Sequence, residues 1–179
     1  MKYKKIFIVI LAMSILLNCL QFYNNNKYKG IIKDKVQYDL SQVFVSSGGL
    51  NLLISTIVDK GETNKLQLRE IDDLYKEVMI HAFDLRGLAN KYRSRNEVGN
   101  FQNYAFIYSD ITRYIKEIKS ESYESKILLK EENIKFLNKL SHHLNGIEEV
   151  HKKYSYVKDG NIYYKLEQWI DIVSELGRK

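Results

Sequence analysis

Three lysines and then an unbroken apolar run open this chain, and that pattern constrains its fold more than any other feature. Lys2, Lys4 and Lys5 precede Ile6-Phe-Ile-Val-Ile-Leu-Ala-Met-Ser-Ile-Leu-Leu-Asn-Cys-Leu20, and residues 1–23 contain no acid. A basic start followed by an apolar run is the pattern of an exported or membrane-inserted segment. From Ile6 to Tyr23 the run is roughly 18 residues, about 27 Å as a helix, enough to cross a hydrocarbon core. Phe22 and Tyr23 then fall where aromatic side chains favour the membrane interface.

Signal cleavage needs small residues at −3 and −1. The stretch Asn18 to Tyr23 supplies none that fit, and cleavage after Ala12 or Ser14 leaves too short an apolar run. The expectation is therefore an uncleaved anchor over 1–23: cell membrane, single-pass, N-terminus cytoplasmic, C-terminal domain outside. The leading lysines support that orientation, while Lys27, Lys29, Lys33 and Lys35 weaken the asymmetry. An alternative is a lipoprotein. Leu16-Leu17-Asn18-Cys19 resembles the bacterial lipobox, which implies lipidation of Cys19, although Asn18 stands where that motif has a small residue. Leu40 to Val58 is a second stretch without charge. Its Ser, Asn and Gly content suits a buried helix, and a second membrane crossing is the rival.

Beyond the anchor, residues 24–63 read as a juxtamembrane linker (Asn24-Asn25-Asn26) and an apolar helical region. Ser46-Ser47-Gly48-Gly49 is expected to bend or end its helix. Residues 64–179 read as a bundle domain. The 179-residue chain contains no proline, and 45% of it is apolar, which fits long helices around a real core. Asn64 and Gln67 have capping-box spacing, and Ile71, Leu74, Val78, Ala82, Leu85, Ala89 and Tyr92 follow at helical intervals to about Arg93. After a loop over Ser94–Asn100, the residues Phe101, Tyr104, Tyr108, Ile111, Ile115 and Ile118 mark the next helix. Beyond a turn at Ser120–Ser125, Ile134, Leu137, Leu140, Leu144, Ile147, His151 and Tyr154 mark a long one. Leu166, Trp169, Ile170, Val173 and Leu176 line a last helix, with Gly177 as C-cap. Tyr156 to Tyr163, with Asp159-Gly160 at its centre, also reads as a small β-hairpin near 156–163. The predicted fold class is all-α: one N-terminal transmembrane or signal-anchor helix, then an antiparallel helical bundle of four to five helices.

Charge narrows the partners. The net charge is +6, and outside the first 23 residues 25 basic residues face 22 acidic ones. That is a mixed, solvated surface with no nucleic-acid footprint. The densest basic clusters are Lys91, Arg93 and Arg95, and Lys152–Lys153, each read as a charged helix end. Cys19 is the one cysteine, so no internal disulfide forms.

Few residues suggest chemistry, and no cofactor is expected. Glu148-Glu149-Val150-His151 contains Glu-x-x-His, which puts Glu148 and His151 on one helix face and resembles the ligand pair of ferritin-like di-iron bundles. That site uses the motif twice, and the partner on offer is Glu77 with His81, at a spacing of four. Asp72-Asp73 and Glu131-Glu132 are neighbours about 100° apart on a helix, so neither makes a catalytic carboxylate pair. Trp169 is expected as a core anchor or, if its face stays open, as a protein-binding hot spot. The leading functional expectation is a membrane-anchored, non-enzymatic interaction or structural module with a protein partner. The alternatives are a ligand-sensing bundle, similar in architecture to membrane-anchored four-helix sensory domains, and a metal-dependent enzyme using Glu148 and His151.

Overall fold

The computed structural model describes residues 2–93, 98–121 and 126–179, with side-chain surroundings from residue 13 onward except at 119–121. Arg95, part of the loop expected over Ser94–Asn100 and most of the turn expected over Ser120–Ser125 lie outside the described residues. The chain is all-α with two small antiparallel strand pairs. In order it forms α1 (Lys2–Lys60), β1 (Glu62–Thr63), α2 (Lys65–Ala89), α3 (Gln102–Glu121), β2 (Ile127–Leu128), α4 (Glu131–Tyr154), β3 (Ser155–Lys158), β4 (Asn161–Tyr164), a single 3₁₀ turn (Leu166–Gln168) and α5 (Trp169–Leu176).

Two compact units divide the chain, Met1–Val36 and Gln37–Lys179. In the first, every described side chain from Met13 to Ile31 is exposed, including Leu16, Leu17, Leu20, Phe22 and Tyr23. Helix α1 contributes to both units and continues through Asn24-Asn25-Asn26, which the sequence suggested as a linker. It also continues through Ser46-Ser47-Gly48-Gly49, where a bend or end was expected. Glycine disfavours a helix by about 1 kcal/mol, a local preference that apolar burial on the opposite face overrides. Leu40, Val43, Phe44, Leu50, Ile54 and Ile57 supply that burial, so the second uncharged stretch is a core helix of the folded unit. Among the described residues α1 is the one helix long and apolar enough to cross a membrane.

The remaining helices follow their apolar stripes. Asn64 caps α2, its Oδ1 accepting from the Gln67 backbone N–H at 2.9 Å. The buried line of α2 is Leu68, Ile71, Tyr75, Val78, Ala82, Leu85 and Ala89. Tyr75, where Leu74 was expected, is fully enclosed, and the helix stops at Ala89 instead of Arg93. Helix α3 buries Tyr104, Ile111, Tyr114, Ile115 and Ile118, and α4 buries Leu137, Leu140, His143, Leu144, Ile147, Val150 and Tyr154. The hairpin exists: β3 and β4 pair from Ser155↔Tyr164 to Lys158↔Asn161. Asp159 (φ 51°) and Gly160 (φ 75°) occupy its two-residue turn, the left-handed pair a type I′ turn requires. The pair β1–β2 has no periodic sequence signal. It joins Glu62 to Leu128 and Thr63 to Ile127, and Lys126 clamps it through an ion pair to Glu62 at 2.8 Å.

Helix α5 closes the core through a close approach. A Cβ at Gly177 would lie 2.5 Å from Phe101 Cε2 and 2.9 Å from the Val98 carbonyl oxygen. Gly99, at φ 85°, stands against the same backbone. Gly177 itself has φ −69°, so it is needed for space and not for a left-handed cap.

Candidate functional site

Within the folded unit α1 has three sides, and its side chains sort onto them by helical period. One flank meets α2. Asp39, fully buried, accepts or shares a hydrogen bond with His81 Nδ1 at 2.9 Å, and Ser46 Oγ donates to Glu77 Oε2 at 2.8 Å. Asp84 stands one turn beyond His81, and the ligand-type atoms of Asp39, His81 and Asp84 all lie within 4.8 Å of one another. Two carboxylates and one imidazole are donors that suit a borderline divalent cation. Here the His81–Asp39 bond already serves as a polar clamp between α1 and α2.

The other flank meets α4. Phe44 stacks on the His151 ring with centroids 4.8 Å apart and 22° between planes, and Tyr164 of β4 packs on the same phenyl at 5.2 Å. Two turns on, Asn51 donates to Asn145 at 2.8 Å and accepts from Ser141 Oγ at 2.7 Å. Between α1, α4 and the hairpin lies a groove of ≈ 230 Å³, lined among others by Val45, Gly48, Glu148, His151, Ile162 and Tyr164. Burial lowers the pKa of His151, the nearby Glu148 carboxylate opposing, and its Nε2 is buried with no hydrogen-bond partner among the described residues. Burial pushes the Tyr164 hydroxyl up to about 12, against a hydrogen bond with Ser41. Glu148 pairs with Lys152 at 2.7 Å on the rim.

No protein-family model, curated protein or solved structure matches this chain. Its site must be read from geometry alone.

The four sequence-nominated ligands fall into two separated pairs. Glu77 and His81 engage one flank of α1, while Glu148 and His151 face the other, so the helix itself stands between them. Asp39, which the sequence reading did not nominate, is the residue that His81 contacts. Its helix gave no signal for this, because the partner lies 42 residues away. Trp169 is half-buried at the start of α5, edge-on to Tyr92 at 5.8 Å. Cys19 is exposed on α1. Of the basic clusters, Lys152 pairs with Glu148 and Lys153 with Glu175.

His143 is the most enclosed imidazole. Its Nε2 meets Tyr75 Oη at 3.2 Å, its Nδ1 meets the Lys179 carbonyl oxygen at 3.2 Å, and Tyr104 stands edge-on at 5.1 Å. The Tyr104 hydroxyl donates to the Leu176 carbonyl at 3.0 Å. These bonds tie α2, α3 and α4 to the α5 end. A second cavity of ≈ 330 Å³ opens beside them, walled by Phe106, Ile107, Phe136, Leu140, His142 and His143. Burial lowers the His143 pKa, disfavouring its charged form. Both ring nitrogens are taken up in holding helices together.

Proposed function

We propose that this chain is a membrane-tethered, extracytoplasmic helical protein that binds another protein and is not an enzyme. The N-terminal helix sits in lipid, and the folded unit offers its groove along α1 to a helical partner. One observation carries the reading: an exposed apolar run, Met13 to Tyr23, lies on the same continuous helix whose later turns form the bundle core. A soluble protein that kept such a run in water would expose an unusually large apolar patch. The leading lysines and the further apolar residues from Ile6 extend the same pattern. The groove supports the second half: Phe44, Val45, Leu144 and Ile162 line it, and the Glu148 carboxylate beside them is paired with Lys152.

Alkaline extraction of membranes from cells making the full chain tests the tether. The protein is expected to stay in the pellet, and Cys19→Ser is expected to leave it there, which separates an anchor from a lipidated cysteine. Recovery of intact protein in the soluble fraction overturns the reading. Reporter fusions after Asn26, Lys60 and Lys179 then report the compartment, with all three expected outside the cytoplasm.

A further inference from the structure

Two aromatic contacts brace α3 against α4. Tyr104 stands edge-on to His143 at 5.1 Å, and Tyr114 stacks on Phe136 with centroids 4.4 Å apart and 28° between planes. The ≈ 330 Å³ cavity beside His143 opens between these braces. Its α3 wall, Phe106, Ile107 and Asp110, falls between the two tyrosines in the chain, and Lys139 and Leu140 of its α4 wall fall between Phe136 and His143. Packed helices leave few voids larger than a water molecule. A space of this size, held open by rings that are themselves packed, has the dimensions of a preformed ligand site between helices of a bundle. It lies at the small end of the range for such sites, which suits an occupant with a single ring.

The lining sets the chemistry of that occupant. Phe106 and Ile107 on one helix and Phe136 and Leu140 on the other make the walls apolar. Phe106 is 65% exposed, so a large ring at the cavity is left in water by the fold itself. The charges around the opening cancel except for one. Asp110 is paired with Arg113 at 2.8 Å, and Lys179 with Glu149 at 2.8 Å. Lys139, exposed on the cavity edge, has no ion-pair partner among the described residues. His142, three residues on and also exposed, adds a ring N–H donor in either tautomer. We propose that this cavity binds a small aromatic carboxylate, its ring between Phe106 and Phe136 and its carboxylate at Lys139 and His142. An organic cation would meet Lys139 with the Asp110 carboxylate already engaged, and a neutral ring would leave the cationic edge unused. The cavity shares no lining residue with the groove along α1, so it stands or falls apart from the protein-binding reading.

Calorimetric titration of the full chain in lipid nanodiscs, with empty nanodiscs as the blank, tests the site. The probes are phenylpropionate, the neutral phenylpropanol of the same shape, and the cationic phenylethylamine. Phenylpropionate is expected to bind saturably, one per chain, and about five-fold tighter than phenylpropanol, the size of an exposed ion pair. The double variant Lys139→Gln with His142→Gln is expected to remove that preference, which makes the comparison a thermodynamic cycle. Phe106→Ala is expected to weaken both probes by about five-fold, the size of an aromatic pair contact. Leu128→Ala, at a leucine 79% exposed elsewhere, is expected to change neither. All four positions are exposed, so each variant is expected to melt with the parent chain. No saturable binding at millimolar phenylpropionate overturns the site. Equal affinity for acid and alcohol, or a preference for phenylethylamine, overturns the carboxylate assignment and the proposal with it. So does a preference for the acid that survives in the double variant. Binding that Phe106→Ala leaves unchanged lies elsewhere on the molecule and overturns the proposal too.

Discussion

Tyr75 on α2 and His143 on α4 meet through Oη and Nε2 at 3.2 Å, in a buried polar contact of the bundle. Burial lowers the His143 pKa below its usual value, with the neighbouring His142 acting the same way and the Lys179 carbonyl opposing. The sign of the pH effect follows. Below about pH 6.5 the unfolded chain takes up a proton that the folded imidazole resists, so stability is full above that pH and falls as acid is added, down to the folded pKa. His151, also lowered by burial, adds to the same trend. Thermal melts of the full chain in detergent are expected to show Tm dropping between pH 7.5 and 5.5. His143→Gln is expected to shrink that drop, and an unchanged pH slope in this variant would show that the buried imidazole is not its source.

Gly177 and Phe101 set the second expectation. A methyl group at Gly177 would sit 2.5 Å from the Phe101 ring, and a backbone carbonyl on its other side leaves no room to shift. Gly177→Ala is therefore expected to cost about 1–3 kcal/mol through overpacking. Gly146→Ala, whose new methyl would meet only the flexible Lys179 side chain, is the matched comparison and is expected to cost less. Denaturant melts of both variants check the order.

The contrast between these glycines shows what a sequence makes legible. Helices α2 and α4 and the Asp159-Gly160 hairpin could be read directly, because apolar periodicity and turn chemistry are local signals. The continuity of α1 through Gly48-Gly49 could not, since it depends on what Leu50 and Ile54 pack against. Nor could β1–β2, whose two-residue strands are joined across more than sixty positions. At the candidate site, the Glu148–His151 face was visible from its spacing, and the structure places both in the groove. Asp39 was not visible, because a lone aspartate reads as a surface residue until its burial against His81 is known.

Burial of Asp39 leads to a third expectation. Its Oδ1 lies 2.9 Å from His81 Nδ1 across the α1–α2 flank, with no part of the side chain exposed. Asp39→Ala removes the acceptor and leaves a hole lined by polar atoms, at a cost of about 1–3 kcal/mol. The double variant Asp39→Leu with His81→Leu is expected to recover part of that loss, since replacing both members avoids leaving one unsatisfied. Equal losses in the single and double variants would mean that the two residues do not act as a pair.

The stacked Phe44–His151 pair separates a packing role from a metal role on the other flank. Phe44 is nearly fully buried against His151 and Tyr164, so Phe44→Ala is expected to cost about 3 kcal/mol and loosen the hairpin. His151 presents a ring face to Phe44 and a buried Nε2 that meets no partner among the described residues. His151→Leu keeps the apolar contact and removes that polar atom, so it is expected to be neutral or stabilising. Glu148 is bonded to Lys152 at the rim, and an ion pair of that kind contributes about 0–1 kcal/mol, so Glu148→Gln is expected to change little. Metal analysis of the purified full chain decides between the roles. If Glu148 and His151 held an ion, both substitutions would lower stoichiometric metal content and Tm together. The packing account expects no metal to be lost in either variant and the larger stability change to follow Phe44.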